Sequence, residues 1–73
     1  MDKLIQILTE CCPGIDFEHE TALIDDGLIE SLDIVTIVSE LMEAFSVEIT
    51  VDDLTPENFN SAQSIWNMIQ RLK

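Results

Sequence analysis

Two apolar stripes of helical period dominate this sequence and narrow its architecture before composition is considered. In the last segment Ala62, Ile65, Trp66, Ile69 and Leu72 recur at i, i+3, i+4, i+7 and i+10. In the middle one, from Ser31 to Phe45, Ile34, Val35, Val38, Leu41, Met42 and Phe45 follow i, i+1, i+4, i+7, i+8 and i+11. Such spacing gathers apolar side chains along one side of an α-helix, whereas on a strand it would scatter them over both faces. Ile34, Val35, Ile37 and Val38 are β-branched, but strict alternation is absent and the run exceeds a usual strand length. Ser31 stands where an N-cap belongs, and Asp33 suits the positive end of the helix dipole. A shorter stripe, Leu4, Ile5, Leu8 and Cys11, predicts a first helix from Asp2 to about Cys12, with Asp2 as a cap and Pro13-Gly14 as the stop.

The rest of the chain connects these helices. Thr55-Pro56-Glu57 reads as N-cap, proline at the first helical position and an acid in the first turn, opening a helix of about one turn. The closing helix is expected over Asn60 to Leu72, with Asn60 and Gln63 resembling a capping box. Between Ser46 and Leu54, Val47, Ile49 and Val51 alternate with polar residues, the best strand candidate, although one strand without a partner cannot stand alone. From Pro13 to Glu30 no period persists, and Ile15, Phe17, Leu23, Ile24, Leu28 and Ile29 are predicted to plug the core from a long connection. Connections of that length in a compact domain tend to be functional. The fold class expected is all-α: a four-helix bundle of three longer helices and one short one, with a long loop between helices one and two.

A chain of 73 residues makes one domain, of a size that buries only about 60% of its unfolded surface and so has little stability to spare. Its 47% hydrophobic content excludes a disordered tail. Fifteen acids against three bases give a net charge of -12, with no Lys or Arg between Lys3 and Arg71. Such a field disfavours nucleic acid and anionic lipid and favours a basic protein surface, although solubility alone would also account for it. Cys11 and Cys12 are adjacent, neither a redox pair nor a zinc spacing, and His19 is the only imidazole available to complete a metal site or a hydrolytic triad. No metal site is expected, and Asp25-Asp26-Gly27 lacks the ligand pattern of a calcium loop. Met42, Met68 and Trp66 read as packing residues. MDKLIQIL is interrupted by Asp2 and Gln6 and has no cleavage site after it, and no segment is long enough to span a membrane, so a cytoplasmic, reduced protein is expected.

An acid-rich stretch, Asp25-Asp26-Gly27-Leu28-Ile29-Glu30-Ser31-Leu32-Asp33, leads directly into the middle helix. Within it Gly27-Leu28-Ile29-Glu30-Ser31-Leu32 resembles the Gly-x-x-Asp-Ser-Leu phosphopantetheine attachment motif of acyl carrier proteins and peptidyl carrier domains. The likeness runs on through Phe45, Val47-Glu48-Ile49 and Asp53-Leu54-Thr55-Pro56-Glu57-Asn58-Phe59 to the last helix, in the family's order and spacing. Glu30 stands where the family usually has Asp, which keeps the charge but moves the carboxylate one methylene outward. The resemblance implies that residues 1–73 form a single carrier domain, with Ser31 bearing a covalent 4'-phosphopantetheine drawn from coenzyme A. A serine hydroxyl is a poor nucleophile, and no His or Lys lies near Ser31 in sequence, so the chemistry must come from a separate phosphopantetheinyl transferase.

With Ile34, Val38, Leu41 and Phe45 toward the core, Leu32, Thr36, Ser39 and Glu43 fall on the opposite side of the middle helix. Leu32 reads as a docking contact for partner enzymes, with Glu30, Asp33, Glu40 and Glu43 meeting basic residues on them; for each residue a plain solvated surface is the competing reading. The partners implied are that transferase, activating ligases and acyltransferases, acting on a monomer that is not itself an enzyme. The cargo stays open between fatty acyl or polyketide chains and the amino acids carried by peptidyl or D-alanyl carriers. The segment Leu54–Phe59 and the sparse charge on the middle helix resemble the aminoacyl carriers. A reading of a different class is an acidic helical adaptor that never uses Ser31.

Overall fold

The computed structural model describes residues 2–73. Its elements are α1 (Asp2–Cys11), α2 (Ser31–Phe45), a 3-10 turn (Val51–Asp53), α3 (Pro56–Phe59) and α4 (Ala62–Leu72), with no strand among the described residues. The all-α expectation is met: three longer helices and one of a single turn. The radius of gyration is 10.8 Å, close to the value of about 11 Å expected for a folded chain of this length.

α1 presents Leu4 and Leu8, both fully buried, to the interior. It ends where Gly14, at φ +96, takes a backbone that a residue with a side chain rarely adopts. Asp2, expected as a cap, lies inside the first turn of α1. α2 runs antiparallel to α1: Lys3 Nζ donates to the Ala44 carbonyl near the end of α2, at 3.4 Å. α2 has no basic residue in its last turn, so Lys3 brings a cation to the negative end of that helix from a neighbouring element.

The interior stripe of α2 differs from the expected one by a small rotation. Ile37, Val38 and Leu41 are buried, while Ile34, Met42 and Phe45 are half-buried. Val35, placed in the stripe by spacing, is 60% exposed. With apolar residues at 34, 35, 37 and 38, periodicity defines a wide band without defining its centre. Packing in the shared core decides which flank is covered, and Ile37 takes the interior over Val35.

Ser46 ends α2 in the left-handed region (φ 55, ψ 42). Val47 and Ile49 then point into the core while Glu48, Thr50 and Val51 face outward. The alternation read as a strand holds as burial only for Val47 and Ile49: Val51, expected with them, is 82% exposed at the start of the 3-10 turn, and the segment has no partner and makes no ladder. It closes in the 3-10 turn, where the Thr50 N–H donates to Asp53 Oδ2 at 3.1 Å. Thr55 occupies the N-cap position of α3, with Pro56 first in the helix as expected, but its hydroxyl makes no capping bond; the buried Phe59 anchors that single turn.

α4 starts two residues later than expected. Its N-cap is Ser61, whose Oγ accepts the Ser64 N–H at 3.0 Å. The expected Asn60–Gln63 capping box does not form because the Asn60 carboxamide is bonded to the long loop instead, accepting the Ile24 and Asp25 N–H groups at 3.0 and 3.1 Å. Met68 is fully buried, and Trp66, half-buried at the edge, meets Phe45 edge to face with centroids 6.0 Å apart. The loop supplies Phe17, Leu23 and Ile29 to the core; Leu28, expected with them, is 39% exposed.

Candidate functional site at the head of α2

Ser31 is the first residue inside α2 rather than the residue before it. The N-cap is Glu30, in extended backbone (φ -111, ψ 177), and the Glu30 N–H donates to Asp33 Oδ2 at 3.1 Å. The helical ladder opens with the Ile34 N–H donating to the Glu30 carbonyl at 2.9 Å. Glu30 and Asp33 thus stand in a capping-box arrangement. This corrects the expectation that Ser31 caps the helix: a carboxylate three residues beyond Glu30 does the capping, and the exposed Ser31 side chain has no part in it.

The approach to Ser31 is an ordered turn. The Asp26 N–H donates to the Ala22 carbonyl at 2.7 Å, Gly27 to Ile24 at 3.0 Å and Leu28 to Leu23 at 2.9 Å. Gly27 holds φ +70, so the motif's glycine occupies a backbone position that disfavours a side chain. Leu23 and Ile29 are buried on either side of that turn. Between them they pin a segment that carries no helix of its own.

Around Ser31 the surface is apolar and acidic together. Leu32 is 82% exposed, and Val35, one turn further on, lies on the same side of the helix. Thr36 donates its hydroxyl to the Leu32 carbonyl at 3.2 Å, so it is partly satisfied within the helix. Ser39, Glu40 and Glu43 are exposed further along, and Glu30 is exposed at the cap. Asp33 is half-buried and bonded to the Glu30 N–H, which leaves it less free to meet a partner than the other acids. Val35 and Leu28 were missed as surface residues. Their signal was available: Leu28 lies inside the motif, and Val35 is three residues from Leu32.

Few of the acids are neutralised internally. Among the described residues the one ion pair is His19 with Asp16, at 2.8 Å. Both side chains are exposed, and the bond to Asp16, followed by its charge, holds the imidazole above its ordinary range. Asp16, Glu18 and His19 have ligand-type atoms within 4.8 Å of one another, all on the surface. The lysines lie at the other end of α2: Lys3 and Lys73 stand over the Phe45 ring at 5.5 and 5.7 Å. Arg71 donates to Asn58 Oδ1 at 2.8 Å.

Both cysteines are free thiols. Burial first, then Glu40, Glu10 and Asp33, push the Cys11 thiol up. Burial, then Asp33 and Cys11, do the same to Cys12. A thiol held protonated is a poor nucleophile. A cleft of about 310 Å³ between the starts of α1 and α4 is lined by Asp2, Phe17 and Glu18 among others and does not include Ser31. No helix among the described residues is long and apolar enough to cross a membrane.

No protein-family model matches the chain. A sequence relative is an acyl carrier protein of Buchnera aphidicola subsp. Baizongia pistaciae (strain Bp), 40% identical over 53 residues. The match covers 73% of this chain and 65% of the relative, so the chain spans just under two thirds of that protein's length. Helix order and the motif at the head of α2 agree with that similarity to an acyl carrier protein.

Proposed function

We propose that this chain is a carrier protein, in which Ser31 is the attachment point for a 4'-phosphopantetheine arm and separate enzymes load and unload the cargo. The observation that carries the reading is the exposed Ser31 in the first turn of α2, inside Gly27-Leu28-Ile29-Glu30-Ser31-Leu32 and free of capping duty. The residues present fit such a group. The hydroxyl points from the surface, no core side chain must move to admit an arm, and the first-turn N–H groups of a helix suit a phosphate. Glu30 opposes that phosphate electrostatically, while the Asp33 carboxylate is already held by a backbone N–H.

In the modification, Ser31 Oγ forms a bond to the phosphorus that carries the pantetheine in coenzyme A. The bond from that phosphorus to the adenosine bisphosphate breaks, and the hydroxyl proton passes to a base on the transferase with Mg²⁺ beside it. The arm supplies a terminal thiol that holds the cargo as a thioester. Cys11 and Cys12, kept protonated, take no part. On this reading the chain is a substrate of the transferase and not a catalyst.

Docking falls to the surface beside the arm. Leu32, Val35 and Leu28 offer apolar contact, and Glu30, Glu40 and Glu43, with Asp33 in a lesser role, meet basic residues on the transferase, ligases and acyltransferases. Thr36 and Ser39 dilute the charge on this side of α2, and the cargo is an acyl or aminoacyl group, the aminoacyl alternative being loaded by an adenylating ligase. In keeping with its charge, the carrier works as a cytoplasmic monomer apart from nucleic acid and membrane. The test is intact mass after incubation with coenzyme A and a broad-specificity phosphopantetheinyl transferase. A gain of one arm on the wild type and none on Ser31→Ala supports the reading; no gain, or an equal gain on both, defeats it and leaves the acidic adaptor.

A further inference from the structure

Asn60, at the junction of α3 and α4, is bonded to the long loop through every polar group it can offer across the fold. Its carbonyl accepts the Leu23 N–H at 2.8 Å. Its Oδ1 accepts the Ile24 N–H at 3.0 Å and the Asp25 N–H at 3.1 Å. Its Nδ2 donates to Asp25 Oδ2 at 3.3 Å. The orientation of the carboxamide follows from its neighbours: only Oδ1 can serve two N–H donors, and only Nδ2 can serve a carboxylate.

The bonds continue from there toward Ser31. The Leu23 carbonyl accepts the Leu28 N–H at 2.9 Å and the Ile29 N–H at 3.3 Å. Ile29 adjoins Glu30, the cap of α2. A path of backbone hydrogen bonds therefore leads from Asn60 through Leu23 into the motif. The segment between α1 and α2 has no helix or strand to hold it, so its place depends on the buried Leu23 and Ile29 and on this tie.

We propose that Asn60 is a positioning residue for the modification of Ser31: beside the main-chain bond to Leu23, which any residue would make, its carboxamide fastens Ile24–Asp25 to the α3–α4 junction and so sets how Gly27–Glu30, and with them Ser31, are presented to the transferase. The inference rests on the carrier reading and deepens it. Asn is suited to the task because one planar group supplies both an acceptor and a donor. Alanine supplies neither, leaving the half-buried Ile24 N–H without a partner and the Asp25 N–H to solvent. Aspartate keeps the acceptor but sets a carboxylate against Asp25.

The experiment measures kcat and KM for transfer from coenzyme A, with intact mass as the readout, on wild type, Asn60→Ala, Asn60→Asp, and Asn60→Asp combined with Asp25→Asn. Asn60→Ala and Asn60→Asp are expected to lower kcat/KM roughly tenfold, mainly through KM for the carrier. The double variant, which restores a donor opposite an acceptor, is expected to recover most of it. Ile69→Val, a core change in α4, serves as the control: it lowers the unfolding midpoint and leaves kcat/KM unchanged. Amide exchange at Ile24 and Asp25 should quicken in Asn60→Ala while that of α4 does not. Should Asn60→Ala not fold, the single and double aspartate variants carry the same comparison. A modified wild type with unchanged kcat/KM in the Asn60 variants, or a loss that Ile69→Val reproduces, overturns the positioning role alone. An unmodified wild type overturns the carrier reading and this inference with it.

Discussion

Ser31→Ala should leave the fold intact and Asp33→Ala should weaken it, although the two residues share one helical turn. The Asp33 carboxylate accepts the Glu30 N–H at 3.1 Å and lies in the first turn of α2. Losing such a cap costs about 0.5–2 kcal/mol, and losing an acid near the positive end of a helix about 0.3–1 kcal/mol. Part of that is returned because one of fifteen acids has gone, so a net loss of about 1 kcal/mol is expected. In a domain of this size that lowers the midpoint of thermal unfolding by roughly 4–8 °C. Ser31 is inside the helix and caps nothing. Alanine there is neutral or gains up to about 0.5 kcal/mol, because it is the better helix former. Thermal unfolding of the unmodified variants followed by far-ultraviolet circular dichroism decides between them. A fall in Ser31→Ala matching that in Asp33→Ala would refute the assignment of Glu30 as the cap.

Three further outcomes follow from particular positions. Ile37→Ala should cost about 2–5 kcal/mol and Val35→Ser no more than about 0.5 kcal/mol in denaturant unfolding, because the first side chain is fully buried and the second faces water; equal costs would contradict the rotation of the α2 stripe. Ser46→Gly should stabilise by about 0.5–1 kcal/mol, since Ser46 holds φ 55 at the end of α2, and a loss in the same unfolding assay would contradict that backbone. His19 should titrate above its ordinary range, and Asp16→Asn should bring it down, as followed by NMR of the ring. Because the folded value is the raised one, the stabilisation from this pair is full below the ordinary imidazole range and fades as pH rises through the folded value.

What could be read from sequence divides along physical lines. The bounds of α2 follow from a motif, an acid in the first turn and an uninterrupted apolar band, and Thr55-Pro56 marks α3 because proline at the first helical position is a local signal. Local signals fail where a side chain has a better partner far along the chain. Asn60 is a good cap by type, yet it bonds to Ile24 and Asp25, and Ser61 caps α4 instead. Ser31 is likewise a good cap by type, and Glu30 with Asp33 displaces it. Val35 and Ile37 cannot be ranked by period, since both belong to a broad apolar band and only tertiary packing separates them. The exposed side of α2 was legible because Thr36, Ser39 and Glu43 are polar; the exposure of Val35 on it, and of Leu28 just before it, was signalled only by nearness to Leu32 and to the motif and is fixed by the packing.

The central claim is that Ser31, and no other residue, receives the arm. Tandem mass spectrometry of the transferase-treated protein, read on the peptide that contains Gly27 to Ile34, measures this directly. The account predicts one phosphopantetheine on the Ser31 oxygen, with Ser39, Ser46, Ser61 and Ser64 unmodified. An arm on any of those serines, or a protein that stays unmodified while correctly folded, would contradict it.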